Sequence, residues 1–66
     1  MEVTINHKPV GVETPMSLAE LLAHEGIPAE GVAVAVNNRV VPRSEWASKP
    51  LEEGMKITVI RAVCGG

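Results

Sequence analysis

Hydrophobic and polar positions alternate with a period of two in several stretches of this chain and with a helical period in one. Met1, Val3 and Ile5 interleave with Glu2, Thr4 and Asn6, the pattern of a strand with one face buried. His7-Lys8-Pro9 offers turn chemistry and Val10-Gly11-Val12-Glu13 resumes the alternation, so residues 1–13 are expected to form a β-hairpin that Pro15 ends. Val32-Ala33-Val34-Ala35-Val36 puts three valines toward a core and two alanines on the opposite face. Asn37-Asn38 can take the positive φ of a tight turn, and Arg39-Val40-Val41 starts a return strand that Pro42 stops. Residues 43–47 read as an irregular or single-turn segment carrying Trp46, and Leu51-Glu52-Glu53-Gly54 as a link. The last strand is expected over Met55 to Arg61, with Met55, Ile57 and Val59 inward and Lys56, Thr58 and Ile60 outward.

The helical stretch carries the clearest local signals. Leu18, Leu21 and Leu22 form an i, i+3, i+4 set preceded by Ser17, and Glu20 stands three residues after that serine, the spacing of a capping box. Met16 and Leu21 occupy the staple positions across the cap. Gly26 sits where a left-handed C′ residue is wanted, Ile27 can fold back as C″, and Pro28 prevents continuation. The predicted helix runs from about 18 to 25.

One amphipathic helix among strands must lay its leucine stripe on one face of a mixed sheet, giving a two-layer α+β domain. At 66 residues the chain makes one domain, 1–61, followed by a tail, 62–66, expected to be flexible. A domain of this size has room for one thin core and no deep active-site cavity, which argues against a self-sufficient enzyme. The net charge is −2, with eight acidic residues, all Glu, against six scattered basic ones, and Trp46 is the one aromatic. No basic stripe or stacking platform marks a nucleic-acid interface. A single cysteine makes no internal disulfide, no apolar run approaches membrane-spanning length, and Met1 leads directly into a strand pattern without a signal segment; the expected location is the cytoplasm.

The chain ends on Val63-Cys64-Gly65-Gly66. Glycine has no Cβ, so such an end can lie in a channel too narrow for side chains and present a bare carboxylate to another protein's chemistry. Ala33-Val34-Ala35-Val36-Asn37-Asn38-Arg39-Val40-Val41-Pro42-Arg43 followed by Trp46, then Leu51-Glu52-Glu53-Gly54-Met55-Lys56-Ile57 and the terminal Gly65-Gly66, resembles the ThiS family, the sulfur carriers of thiamine biosynthesis. The resemblance spans the whole chain. Met55 stands where that family commonly has Asp, and Cys64 where small residues are usual.

The resemblance implies a ubiquitin-like β-grasp roll: a mixed sheet of four to five strands on one helix, with the first and last strands as parallel central neighbours. It implies a carrier rather than a catalyst. A ubiquitin-activating-like adenylyltransferase would adenylate the Gly66 carboxylate, sulfur from the cysteine desulfurase pathway would convert it to a thiocarboxylate, and thiazole synthase would take the sulfur. ATP, magnesium and any zinc would belong to the activating partner, with no cofactor on this chain. The tail to be inserted includes Gly65 and Cys64; five extended residues at about 3.3 to 3.6 Å each reach roughly 17 Å. The small subunit of molybdopterin synthase, a sulfur carrier for molybdenum cofactor, and a ubiquitin-like protein modifier share this fold and ending.

Around the tail, Ala33, Ala35, Thr58 and Ile60 are expected on the sheet face away from the helix, a flat, largely apolar patch suited to partner docking, with Arg43 as a further contact. Cys64 reads as a bystander thiol more readily than as a nucleophile. His7 reads as a solvated turn residue and His24 as a favourable charge near a helix C-terminus. The two are far apart in sequence and have no partners at metal-ligand spacing, and no Cys-x-x-Cys, His-Glu-x-x-His or phosphate-cradling glycine loop is present.

Overall fold

The computed structural model describes residues 1–61. Within them the order is β1 (Glu2–Ile5), β2 (Lys8–Gly11), α1 (Leu18–His24), β3 (Val32–Val36), β4 (Arg39–Val41), a 3₁₀ helix (Arg43–Ser48) and β5 (Lys56–Arg61). The strands form one sheet in the order β2-β1-β5-β3-β4. β5, last in sequence, is therefore central: β1 runs parallel to it on one side and β3 antiparallel on the other. This is the mixed α+β roll expected of a β-grasp domain.

Local chemistry decides the helix at both ends. The Ser17 Oγ accepts the Glu20 N–H at 3.2 Å and the Glu20 carboxylate accepts the Ser17 N–H at 3.0 Å, completing the capping box. A further orphan donor, the Leu18 N–H, is satisfied by the Lys49 carbonyl at 2.8 Å, which laces the 49–51 link to the helix start. At the other end Gly26 takes φ 73, its N–H reaching Ala23 O at 3.1 Å while the Ile27 N–H reaches Leu22 O at 2.9 Å. Those two bonds are a Schellman motif, with Glu25 as C-cap, so α1 itself ends one residue earlier than the spacing predicts.

Leu18, Leu21 and Leu22 lie buried against Val3, Ile5, Val34, Val36 and Ile57, the inward residues of β1, β3 and β5. Trp46, Leu51 and Met55 close the core from the connecting segment, and Trp46, 4% exposed, covers it as expected while donating its indole N–H to Val41 O at 2.9 Å. Of the two readings of the segment that carries it, irregular or single-turn, the helical one is closer: it is a 3₁₀ helix over Arg43–Ser48, the Glu45 N–H bonding back to Pro42 O at 2.8 Å.

The first hairpin departs from the sequence reading. Its turn is Asn6-His7, with φ 50 and 71, and Pro9 lies inside β2 rather than in the turn. β2 is an edge strand, and Pro9 stands opposite Thr4 between the bonded pairs, where its missing N–H is not called on. The second hairpin repeats the geometry at Asn37-Asn38, φ 50 and 69, as read from sequence. Two smaller differences concern the ends of strands: β5 begins at Lys56, Met55 being a buried turn residue whose N–H bonds Glu52 O, and Met1 is 47% exposed rather than inward.

Candidate functional site

The central position of β5 makes its end the natural root of a functional tail. Gly66, Gly65 and Cys64, the residues expected to carry and insert the reactive carboxylate, lie outside the described residues. What the structure does describe is the platform from which they continue: Arg61, the last residue of β5, is paired with Val32 of β3.

Beside that root the sheet's outward face is assembled by register. Ala33 stands opposite Ile60 and Ala35 opposite Thr58 across β3 and β5, so these four expected docking residues are brought together as two adjacent cross-strand pairs. Each alternates with an inward residue: Val34, buried in the core, between the alanines, and Val59, half-buried against the core, between Thr58 and Ile60. The register extends the row one strand further, since Ala35 also faces Val40 of β4. Val40 is 74% exposed and Ile60 57%, and together with the two alanines they make the patch apolar across three strands.

Val40 was not among the residues expected from sequence. A two-residue turn at Asn37-Asn38 fixes the pairing by counting outward, 36 with 39 and then 35 with 40, and that count would have found it. Arg43, by contrast, does not join the patch. It is the exposed first residue of the 3₁₀ helix, an element that packs against α1 on the other side of the sheet.

Charge is sparse on this part of the face. Lys56 is the outward cation at the start of β5, opposite Thr4 of β1, and no outward residue of β3, β4 or β5 is acidic. Among the described residues the arrangement offers a largely apolar surface beside the exposed end of β5. It suits burial against another protein rather than enclosure of a small molecule. A surface hollow of about 380 Å³ lies apart from this patch, walled by Ile5, Asn6, Lys8, Val10, Glu25 and Ile27 between the first hairpin and the helix end. Among the described residues no group of three or more His, Cys, Asp or Glu is placed to hold a metal ion, and His24 meets only its neighbour Glu25, at 3.4 Å.

Comparison with known proteins matches this geometry to a defined group. The ThiS family model matches residues 3–66. The chain is 27% identical over 66 residues to the sulfur carrier protein ThiS of Escherichia coli, covering 100% of both chains. It is 29% identical over 66 residues to a thiazole synthase of Paramagnetospirillum magneticum, of which it spans 20% of the length. Among solved structures, the crystal structure of the thiamine biosynthesis protein ThiS from Geobacter metallireducens superposes with a TM-score of 0.86 at 28% identity, covering both chains completely. A solution structure of a thiamine biosynthesis protein from the same organism gives 0.78 at 28% identity, covering 100% of this chain and 88% of the other.

Proposed function

The chain belongs to the ThiS family, and from that premise we propose that it is a sulfur carrier of thiamine biosynthesis whose working group is the Gly66 carboxylate. The observation that carries this reading is the whole-length match to a sulfur carrier protein, which covers both chains completely and so includes the final Gly65-Gly66. The match to a segment of a thiazole synthase supports thiazole synthase as the acceptor of the sulfur.

The chemistry follows from the poor reactivity of a carboxylate. Its anionic oxygen is a bad leaving group, so an activating adenylyltransferase first lets that oxygen attack the α-phosphorus of ATP, releasing pyrophosphate and leaving an acyl adenylate. A persulfide sulfur then attacks the carbonyl carbon and AMP departs, giving an acyl disulfide. A thiolate then attacks the outer sulfur of that S–S bond, forming a new disulfide with it and releasing the thiocarboxylate on Gly66. The protein contributes presentation rather than catalysis. Gly65 and Gly66 bring no side chain into a narrow channel, and the outward face of Ala33, Ala35, Val40, Thr58 and Ile60 docks the globular body beside its mouth.

The test is a mass measurement. Incubated with its activating enzyme, ATP and a sulfur donor, the chain should gain the mass difference of one sulfur for one oxygen, located at Gly66. An unchanged terminus would refute the reading. Amide linkage of Gly66 to lysines of other proteins would replace it with a modifier function, and co-purification with the large subunit of molybdopterin synthase instead of thiazole synthase would move the carrier to the other pathway.

A further inference from the structure

β1 leaves β5 before β5 ends. The parallel pairing stops at Ile5 and Ile57, whereas β3 stays with β5 as far as Val32 and Arg61. Among the described residues, 58–61 therefore have a strand on one side only, and they are the root of the segment that carries Gly66.

Asn6 stands at this break. A parallel ladder would continue there by donating the Asn6 N–H to Ile57 O and accepting the Val59 N–H at the Asn6 main-chain carbonyl. The first bond is made, at 2.9 Å. For the second, the backbone has already turned into the left-handed region at φ 50 to begin the hairpin turn, and the side-chain Oδ1 accepts the Val59 N–H instead, at 2.8 Å. One asparagine thus starts the turn and adds a rung to the sheet. Asn37 is its counterpart near the start of β5, donating to Lys56 O at 2.8 Å and accepting the Lys56 N–H at 3.1 Å.

We propose that Asn6 is a positioning residue for sulfur loading: by closing the Val59 N–H two residues before β5 ends, it holds the end of β5 on the side that β1 has left, the root from which the chain continues to Gly66. This rests on the carrier reading above. A carrier whose terminus must enter a partner's site while the body docks beside it gains from a fixed root, because misdirected encounters are then sampled less. Loss of that anchorage appears in productive binding of the carrier and leaves the bond-making steps unchanged. The position requires both a left-handed backbone and a short side-chain acceptor, which Asn and Asp combine; glycine meets only the first requirement.

The decisive comparison is Asn6→Gly against Asn6→Asp, with Asn37→Gly as control for general loosening of the hairpins. Sulfur loading by the activating enzyme is measured at varied carrier concentration, together with amide exchange at Val59. For Asn6→Gly, the KM for the carrier rises about fivefold, the worth of one neutral hydrogen bond, with kcat unchanged and Val59 exchange accelerated. Asn6→Asp restores KM toward wild type, and Asn37→Gly leaves it there. A wild-type KM in Asn6→Gly, an equal rise in Asn37→Gly, or no rescue by Asn6→Asp would overturn the proposal while the carrier reading stood. A wild-type chain that gained no sulfur would overturn both.

Discussion

Ala33 and Ile60 face each other across β3 and β5 on the side of the sheet that the helix leaves uncovered. The small partner leaves Ile60 57% exposed, which contributes little to the isolated domain. Buried in a complex, that surface would contribute about 25 cal/mol for each Å² removed from water. Ile60→Glu is therefore expected to hold the melting temperature near wild type, its stability change within about 0.5 kcal/mol as for surface substitutions generally. The same variant should raise the KM for the activating enzyme and weaken co-purification with thiazole synthase. Thermal melts beside loading kinetics check both halves, and an unaltered KM would take this face out of the interface.

Gly65→Val separates tail from body. A branched side chain cannot follow where a bare backbone passes, so sulfur loading at Gly66 and thiazole formation should both fall to background, while chemical denaturation of residues 1–61 is unchanged. Intact-protein mass and an unfolding curve on one preparation provide the check; loading at the wild-type rate would show that the channel accepts a side chain.

How far such features could be read from the chain depended on whether their cause was local. The helix was legible because Ser17, Glu20 and Gly26 act on backbone groups within a few residues of themselves. The inward and outward sets of β3 and β5 follow from alternation alone, and so do four members of the outward patch. The first hairpin is where the alternation puts it, but its turn lies at Asn6-His7 rather than His7-Lys8-Pro9: Pro9 is a turn signal in most settings, and its tolerance inside β2 comes from an edge position that only the assembled sheet defines. The bond from Val59 to Asn6 joins residues 53 apart in sequence, a relationship that periodicity does not report.

The cap makes a simple stability prediction. Ser17→Ala removes the hydroxyl that accepts the Glu20 N–H and should cost about 1 kcal/mol. For a domain of this size that lowers the melting temperature by roughly 4 to 8 °C. Sulfur loading at 25 °C should be unaffected, since the helix lies on the sheet face opposite the outward patch proposed to dock. Calorimetry with a parallel loading assay tests this; a loss of loading with the fold intact would tie the helix to partner recognition.

Gly26 offers a cleaner test of backbone cost. A Cβ at this position meets nothing within 4 Å, so crowding is excluded and the φ of +73 alone opposes a side chain. Gly26→Ala should destabilise by about 1 kcal/mol and Gly26→Asn by less, because asparagine visits the left-handed region more readily. Equal losses in urea denaturation of the two variants would shift the explanation from conformation to solvation of the helix end.

Trp46 shows how little reserve the domain has. Its ring is buried and its indole N–H holds Val41 O at 2.9 Å, tying β4, and with it Val40 of the outward patch, to the 3₁₀ helix. Trp46→Phe keeps most of the apolar contact but loses the donor, at a cost of about 1 kcal/mol. Trp46→Ala also opens a cavity and should cost about 3 to 5 kcal/mol. At roughly 0.05 to 0.15 kcal/mol per residue, a chain this short has only about 3 to 10 kcal/mol in total. Urea titration followed by far-UV circular dichroism should then give Trp46→Phe a lower midpoint with an unchanged slope, while Trp46→Ala shows a shallow or absent transition even without denaturant. A cooperative Trp46→Ala curve near the wild-type midpoint would mean that the leucine stripe of α1 alone supports the sheet.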